Sequence, residues 1–436
     1  MVMKMESIWL NTASLPAFEP LKNNIKTDVL IIGGGMAGLL CGYYLHSAGV
    51  DYRLIEAEKI CGGVTGCTTA KITSQHGLIY DKLLRRFGTE KARMYYVANE
   101  EALGRYRSLC NDIDCDFVEK DSYVYARDDF RKLDRELAAL ERIGAAAEFT
   151  EKIPLPLSTV GAIRFSQQAQ FHPLKFAAMI AKHQKIYEDT RAIGYEGNGV
   201  VLTNHGKIHA NKIIVTTHFP LFNKHGLYFI KLYQHRSYVL GLENGPDVGG
   251  IYADESKTGL SFRNYGKYLL LGGGSHRTGK QGGNWEELLS FAQKHYPDSK
   301  VRYRWATQDC MSLDDVPYIG QYSPNTPNIH VASGFNKWGM TGAMTAAMIL
   351  TDQILEKKNE YEAVFAPSRS VLHPQLFCNV LETSVNLLTP TKPRCPHMGC
   401  ALKWNPSEHS WDCPCHGSRF DAQGKTLNNP ANTDMK

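Results

Sequence analysis

The stretch "DVLIIGGGMAGLLCGYYLHSAGVDYRLIEAE", residues 28 to 58, constrains this chain more than any other. Val29 to Ile32 form a purely apolar run, the mark of a parallel strand covered on both faces. The run ends in Gly33-Gly34-Gly35-Met36-Ala37-Gly38, which fits G-x-G-x-x-G. "LLCGYYLHSAG" has helical character and stops at Gly49, and "DYRLIEAE" reads as a second strand carrying Glu56 near its end. In a dinucleotide site Gly33 makes the tight turn, Gly35 lets the backbone approach a pyrophosphate, and Gly38 lets helix and strand pack closely. The helix start offers free N–H groups and a positive dipole end to phosphates. Glu56, eighteen residues past Gly38, can accept a hydrogen bond from a ribose hydroxyl. An acid there disfavours a 2′-phosphate, so the ligand is FAD or NAD rather than NADP.

With 436 residues the chain exceeds one simple core, and two or three domains are expected. A net charge of +5 is mild at this length, and no Lys/Arg cluster or nucleic-acid motif stands out, so a nucleic-acid partner is not expected. No stretch approaches eighteen apolar residues and the N-terminus has no signal-peptide pattern, so neither a spanning helix nor export is expected. Seven of the eleven cysteines (41, 61, 67, 110, 115, 310 and 378) are scattered, which fits a reducing cytoplasm better than a disulfide framework.

The segment after Glu56 separates FAD from NAD. "CGGVTGCTTAKITSQHG", residues 61 to 77, resembles the loop with which flavoproteins of the D-amino-acid oxidase/glycine oxidase superfamily wrap FAD. "GKIHANKIIVTTHFP", residues 206 to 220, resembles the strand that returns beside the adenosine half. "DDVPYIGQYSPNTPNIHVASGFNKWGMTGAMTAAMILTDQI", residues 314 to 354, resembles the final flavin segment, where a Gly-rich turn from Gly334 to Thr341 leads into a helix aimed at the flavin ring. The resemblance implies FAD contacts at Gly33, Gly35, Met36, Ala37, Glu56, Gly63, Thr65, Thr69, Ala70, Lys71, Thr216, Gly334, Lys337, Trp338, Gly339, Met340 and Thr341.

Two stretches interrupt this pattern. Residues 80 to 150 carry charged helical sequence, and residues 222 to 305 carry strand-like runs such as "GLSFRNYGKYLLLGGG". In the superfamily such inserts form an antiparallel sheet with helices that roofs the flavin and holds the substrate. The expected fold is an α/β FAD-binding, Rossmann-type (glutathione-reductase-like) domain over 25–80, 150–220 and 306–360. An α+β substrate domain is inserted over 81–149 and 221–305, and a small C-terminal β subdomain lies within 365–436.

Candidate substrate-facing residues are Lys71, His76, Arg263, His276 and Tyr318. Arg263 could clamp a carboxylate, or serve as an ordinary salt bridge. His276, in "GGGSHRTG", could be a base or a satisfied loop histidine, and His218 reads as structural. Lys71 and Lys337 are better placed, since a lysine near the flavin ring stabilises its reduced form. Cys310, in "QDCMSLDD", stands in a context similar to the cysteine that binds FAD covalently in sarcosine oxidases, but its spacing to the next Asp is shorter.

The C-terminus carries "CPHMGC", 395 to 400, and "CPCHGS", 413 to 418. Cys395, His397, Cys413 and His416 could hold a tetrahedral zinc. One Cys and one His from each of two loops is also the Rieske pattern, where two Cys hold one iron of a [2Fe–2S] cluster and two His the other. The words resemble respiratory-type Rieske loops, and that resemblance implies a Cys400–Cys415 disulfide and a Ser418 hydroxyl donating to the cluster. "LFCNVLETSVNLLTPTKPR", the link before Cys395, is too short for the strands that normally precede the first loop, so a truncated subdomain is expected to pack directly on the flavoprotein or to hold its cluster poorly.

Flavin chemistry moves a hydride, and a Rieske cluster carries one electron at a time. The fusion therefore suggests an FAD- and Rieske-dependent dehydrogenase or reductase. It would act on a small substrate, an amine, an amino acid, or a C=C or C=N bond, with a small ferredoxin-like redox protein as partner. An oxygen-using amine or amino-acid oxidase with a vestigial cluster and a non-catalytic redox sensor are the other readings.

Overall fold

The computed structural model describes residues 5–222, 225–391 and 393–435. The strand Ile25–Ile32 lies at the heart of an eight-stranded sheet. It pairs in parallel with Tyr52–Ile55 on one side and Gly206–Val215 on the other. Ile329–Ser333 continues the parallel order beyond Gly206–Val215, and Tyr318–Gln321 closes that edge antiparallel. The last four residues of the central strand are all buried, as its unbroken apolar run requires. Gly33 then turns with φ +111, and a Cβ there would meet the Thr216 carbonyl oxygen at 2.8 Å. A Cβ on Gly38 would come within 1.9 Å of the Gly33 oxygen, so the helix Met36–Ser47 reaches its strand only with glycine at this point.

That helix packs on Gly339–Ile354, which is apolar around nearly its whole circumference and buried along most of its length. Helix Tyr80–Cys110 covers the far side of Gly339–Ile354, so the turn before it is anchored in core.

The roof is a nine-stranded sheet running Lys300–Ser312, Leu232–Glu243, Tyr268–Arg277, Ser261–Tyr265, Ile251–Asp254, Val118–Ala126, Gly161–Gln170 and Lys71–Ile72, with Glu148–Thr150 beside Gly161–Gln170. It is antiparallel except where Ile251–Asp254 runs parallel to Val118–Ala126. The sheet draws strands from outside 81–149 and 221–305. Lys71–Ile72, Gly161–Gln170 and most of Lys300–Ser312 belong to it, so body and roof share continuous strands.

The link to the C-terminal unit is the helix Pro374–Leu388. Four short antiparallel strands follow: Lys403–Asn405, Ser410–Asp412, Arg419–Phe420 and Thr426–Asn428. This small sheet sits directly on the roof. Glu408, nearly buried, takes Arg236 and the Tyr238 hydroxyl from the roof and Arg419 from its own side. Gln308 Nε2 donates to the Gly417 carbonyl at 2.8 Å, and Arg277 donates to the Pro414 and Cys415 carbonyls. Among the described residues no helix is long and apolar enough to cross a membrane.

Candidate functional site

The glycine turn, loop 61–69, the end of Gly206–Val215 and the turn 335–340 open onto one cleft of about 470 Å³, covered by Ser237, Ser275, Thr307 and Asp309 of the roof. Gly33, Gly35, Met36, Ala37, Glu56, Gly63, Thr65, Thr69, Lys71, Thr216, Lys337, Trp338, Gly339 and Met340 all line it. The glycine turn is held from behind, because Thr216 Oγ1 donates to the Ile32 and Gly33 carbonyls at 3.0 Å each. Glu56 accepts from the Gly34 amide at 2.7 Å, and burial raises its pKa. Bare backbone at Gly35 and Gly63, with the helix start beside it, is the cradle a pyrophosphate needs.

Ala70, Gly334 and Thr341 stand behind the wall rather than in it. The Ala70 carbonyl accepts from Arg263, Gly334 packs against Leu232 and Ser312, and Thr341 Oγ1 donates to the Thr73 carbonyl.

The two lysines differ. Lys337 Nζ spends all three protons, on Ser237 Oγ at 3.0 Å, Ser275 Oγ at 3.0 Å and the Lys257 carbonyl at 2.9 Å. It is a fixed element of the cleft wall. Among the described residues Lys71 Nζ has only Thr69 Oγ1 at 3.4 Å. Burial first, then the neighbouring cations Arg263 and Lys337, push Lys71 down to about 7 against the opposing pull of Asp309. Asp309 is half-buried and accepts from Ser237 Oγ at 3.0 Å.

Three expected substrate groups, Arg263, His276 and Tyr318, do not line the cleft, and a fourth, His76, lines it with its ring already bonded. His76 reaches the cleft edge, but its ring is bonded to the Tyr95 hydroxyl at 2.7 Å, the Thr73 carbonyl at 2.8 Å and Thr341 Oγ1 at 2.9 Å. Burial pushes it down to about 3, so it stays neutral and positions the Trp338 ring stacked on it. Arg263 lies behind the cofactor loop, where Nη1 donates to the Thr69 and Ala70 carbonyls at 2.7 Å each and the Trp9 ring faces the guanidinium; among the described residues its buried Nε and Nη2 have no hydrogen-bond partner. His276 stacks on Tyr238 away from the cleft, and Tyr318 is covered by Arg369. Cys310 touches the cleft, and burial pushes its thiol up to about 12, which disfavours the thiolate.

Two groups escaped the sequence reading. The N-terminal helix Ile8–Thr12 straps loop 66–70 down: Trp9 Nε1 donates to the Thr68 carbonyl at 2.6 Å and Ser7 Oγ to that of Gly66. A lone tryptophan and serine in a polar leader gave no pattern to read. Asp309 stood in plain view beside Cys310 but had no motif of its own.

At the C-terminus the four ligand candidates converge with a clear segregation. Cys395 and Cys413 lie in the subdomain's apolar core with Leu402, Phe420 and Ala431. The His397 and His416 rings lie 5.0 Å apart and turn onto Phe219 of the flavoprotein, 6.1 and 6.3 Å away, with Phe229 against His416. Among the described residues none of the four buried imidazole nitrogens has a hydrogen-bond partner, a cost of about 1–3 kcal/mol for each such group; a metal would take one nitrogen of each ring. Thiols inward and imidazoles outward suit a two-iron cluster with one Cys pair and one His pair. Cys400 and Cys415 are free thiols rather than the expected disulfide; both lie with Cys413 in a group whose sulfurs are within 4.8 Å of one another, so Cys415 has two thiol neighbours instead of one.

The profile of the FAD dependent oxidoreductase (DAO) family matches residues 28–353, and that of the Rieske [2Fe-2S] domain matches residues 378–436. The chain is 33% identical to the Rieske 2Fe-2S iron-sulfur protein YhfW of Bacillus subtilis (strain 168), over 99% of this chain and 97% of that protein. It is 23% identical to the gamma-glutamylputrescine oxidoreductase of Escherichia coli (strain K12), over 79% of this chain and 88% of that one. The glycine oxidase of Geobacillus kaustophilus shares the fold with a TM-score of 0.66 at 19% identity, over 79% of this chain and 99% of that one. FAD and a [2Fe–2S] cluster are the cofactors that fit these two sites. The chain therefore belongs to the DAO family of FAD-dependent oxidoreductases and carries a C-terminal Rieske [2Fe–2S] domain.

Proposed function

We propose that this oxidoreductase oxidises a small amine, or runs the same chemistry backwards on a C=N or C=C bond, and exchanges the electrons singly with a small redox protein. FAD supplies a two-electron acceptor for a substrate C–H hydride, and the cluster a one-electron port. The observation that carries this reading is the shared wall between the two sites. Within four residues Thr216 holds the glycine turn, His218 lines the cleft, and Phe219 meets both cluster histidines.

The flavin contacts are proposed at the fourteen cleft-lining residues named above, and the cluster ligands at Cys395, His397, Cys413 and His416. Lys71, half deprotonated near pH 7 and neutral well above it, accepts the proton of a substrate ammonium before the C–H bond breaks. Asp309 favours a cationic amine over a free amino acid, since Arg263, the expected carboxylate clamp, does not line the cleft. Cysteine usage supports action in the cytoplasm.

The test is anaerobic incubation of the purified protein with a panel of amines and amino acids, followed by flavin bleaching and by electron paramagnetic resonance of the reduced cluster. A cationic amine that bleaches the flavin and brings up the cluster signal supports the reading. Bleaching with peroxide in air and no cluster signal would mean an oxidase with an idle cluster. A flavin that none of the panel reduces would mean a sensor.

A further inference from the structure

The flavin cleft is lined by the C-terminal tail of the Rieske subdomain as well as by body and roof. Leu427, Asn428, Asn429 and Asn432 stand on its rim, on the same cleft as the glycine turn and Glu56. The tail is tied at two points of its short run. Asn429 Nδ2 donates to the Thr217 carbonyl at 2.5 Å and the Phe219 carbonyl at 3.2 Å. Two residues on, the Ala431 amide donates to Ser418 Oγ at 3.0 Å. Ser418 ends the second cluster loop, and its carbonyl accepts from the Cys413 amide at 2.9 Å. The segment that Asn429 grips runs likewise from one site to the other: Thr216 holds the Gly33 turn and Phe219 packs on His397 and His416.

We infer that the tail 427–432 completes the FAD site and that FAD retention and cluster occupancy are thermodynamically linked through it. A loaded cluster fixes loop 413–418, and Ser418 fixes the tail through Ala431. The tail then closes the cleft rim and clamps the segment that supports the glycine turn. If the cluster tightens FAD binding by some factor, FAD tightens cluster retention by the same factor. This inference needs no electron to pass between the sites, so it stands or falls apart from the functional reading above.

The experiment uses the full chain, prepared anaerobically with both cofactors. FAD affinity is measured by flavin fluorescence in three samples: wild type, Asn429→Ala, and wild type stripped of iron by a chelator. Iron content, the cluster resonance and far-ultraviolet circular dichroism are checked in each. The expected result is FAD binding weakened about tenfold in both perturbed samples, with the Asn429→Ala cluster signal intact. In wild type without FAD, iron loss to the chelator should speed up by a similar factor. FAD affinity within twofold of wild type in both samples overturns the inference. Weakening in Asn429→Ala alone keeps the tail in the FAD site and overturns the linkage. Weakening in the iron-stripped protein alone overturns the tail as its carrier.

Discussion

Beside the bonds from Gln308 and Arg277, the junction between the Rieske subdomain and the roof carries one nearly buried carboxylate. Glu408 is 10% exposed, between Arg236 at 5% and Arg419 at 6%. Burial alone would raise its pKa, but the two guanidiniums overcome that and hold it at about 2, against an ordinary 4.5. That difference corresponds to about 3 kcal/mol. The carboxylate's pKa is depressed on folding, so its contribution is complete above pH 4.5 and is lost as pH falls from 4.5 towards 2. Glu408→Gln keeps the volume and leaves the buried Arg236 guanidinium uncompensated, while Arg419 keeps Asp412 at 2.9 Å; a cost of about 3–5 kcal/mol is typical for a broken buried pair. The assay is guanidinium denaturation of anaerobic protein at pH 7 and pH 4, following the cluster's visible absorption for the subdomain and the flavin's for the body. At pH 7 the variant should lose about 3 kcal/mol from the cluster-detected transition, with a smaller shift in the flavin-detected one. At pH 4 the two proteins should draw closer together. A variant within 0.5 kcal/mol of wild type at pH 7, or stability curves that stay parallel as pH falls, would refute the reasoning.

Lys71→Met should stabilise the protein at neutral pH by roughly 1–3 kcal/mol, discounted for the lysine's access to the cleft, because burial holds the native lysine near 7 while the unfolded one titrates near 10.5. Between those values the unfolded chain binds more protons, so wild-type stability rises with pH and the variant's advantage fades by about pH 10, which thermal melts at stepped pH will read. Trp9→Phe removes the Nε1 donor from the Thr68 carbonyl and should speed FAD release about fivefold, measured by fluorescence after dilution. His416→Ala should abolish the cluster resonance and the iron, about two per wild-type chain, while the flavin spectrum persists at saturating FAD; zinc in the wild-type protein would sink the two-iron assignment.

The cofactor half was legible because its chemistry is written locally. A buried parallel strand must be apolar, and its turn must be glycine where a Cβ would strike the Gly33 or Thr216 oxygens. The cluster loops were legible for the same reason, since ligand spacing within a loop survives translation into sequence. The substrate side was not. Arg263, His276 and Tyr318 are plausible residue types on plausible strands, and only packing decides that each turns away from the cleft. Gly161–Gln170 and Lys300–Ser312 enter the roof through pairings with distant strands, which no local period announces. The docking of the subdomain was equally hidden, because Arg236 and Glu408 are far apart in sequence and each alone reads as a surface charge.

The wall from Thr216 to Phe219 has an evolutionary consequence. A segment that serves one cofactor can drift when that cofactor's needs change, but this one meets the glycine turn at Thr216 and the cluster histidines at Phe219. A change that improved the fit of the glycine turn would have to be neutral for two imidazoles on the other side. Substitutions in roof residues such as Ser237 and Ser275, which line the cleft, carry no such double constraint from this strand end.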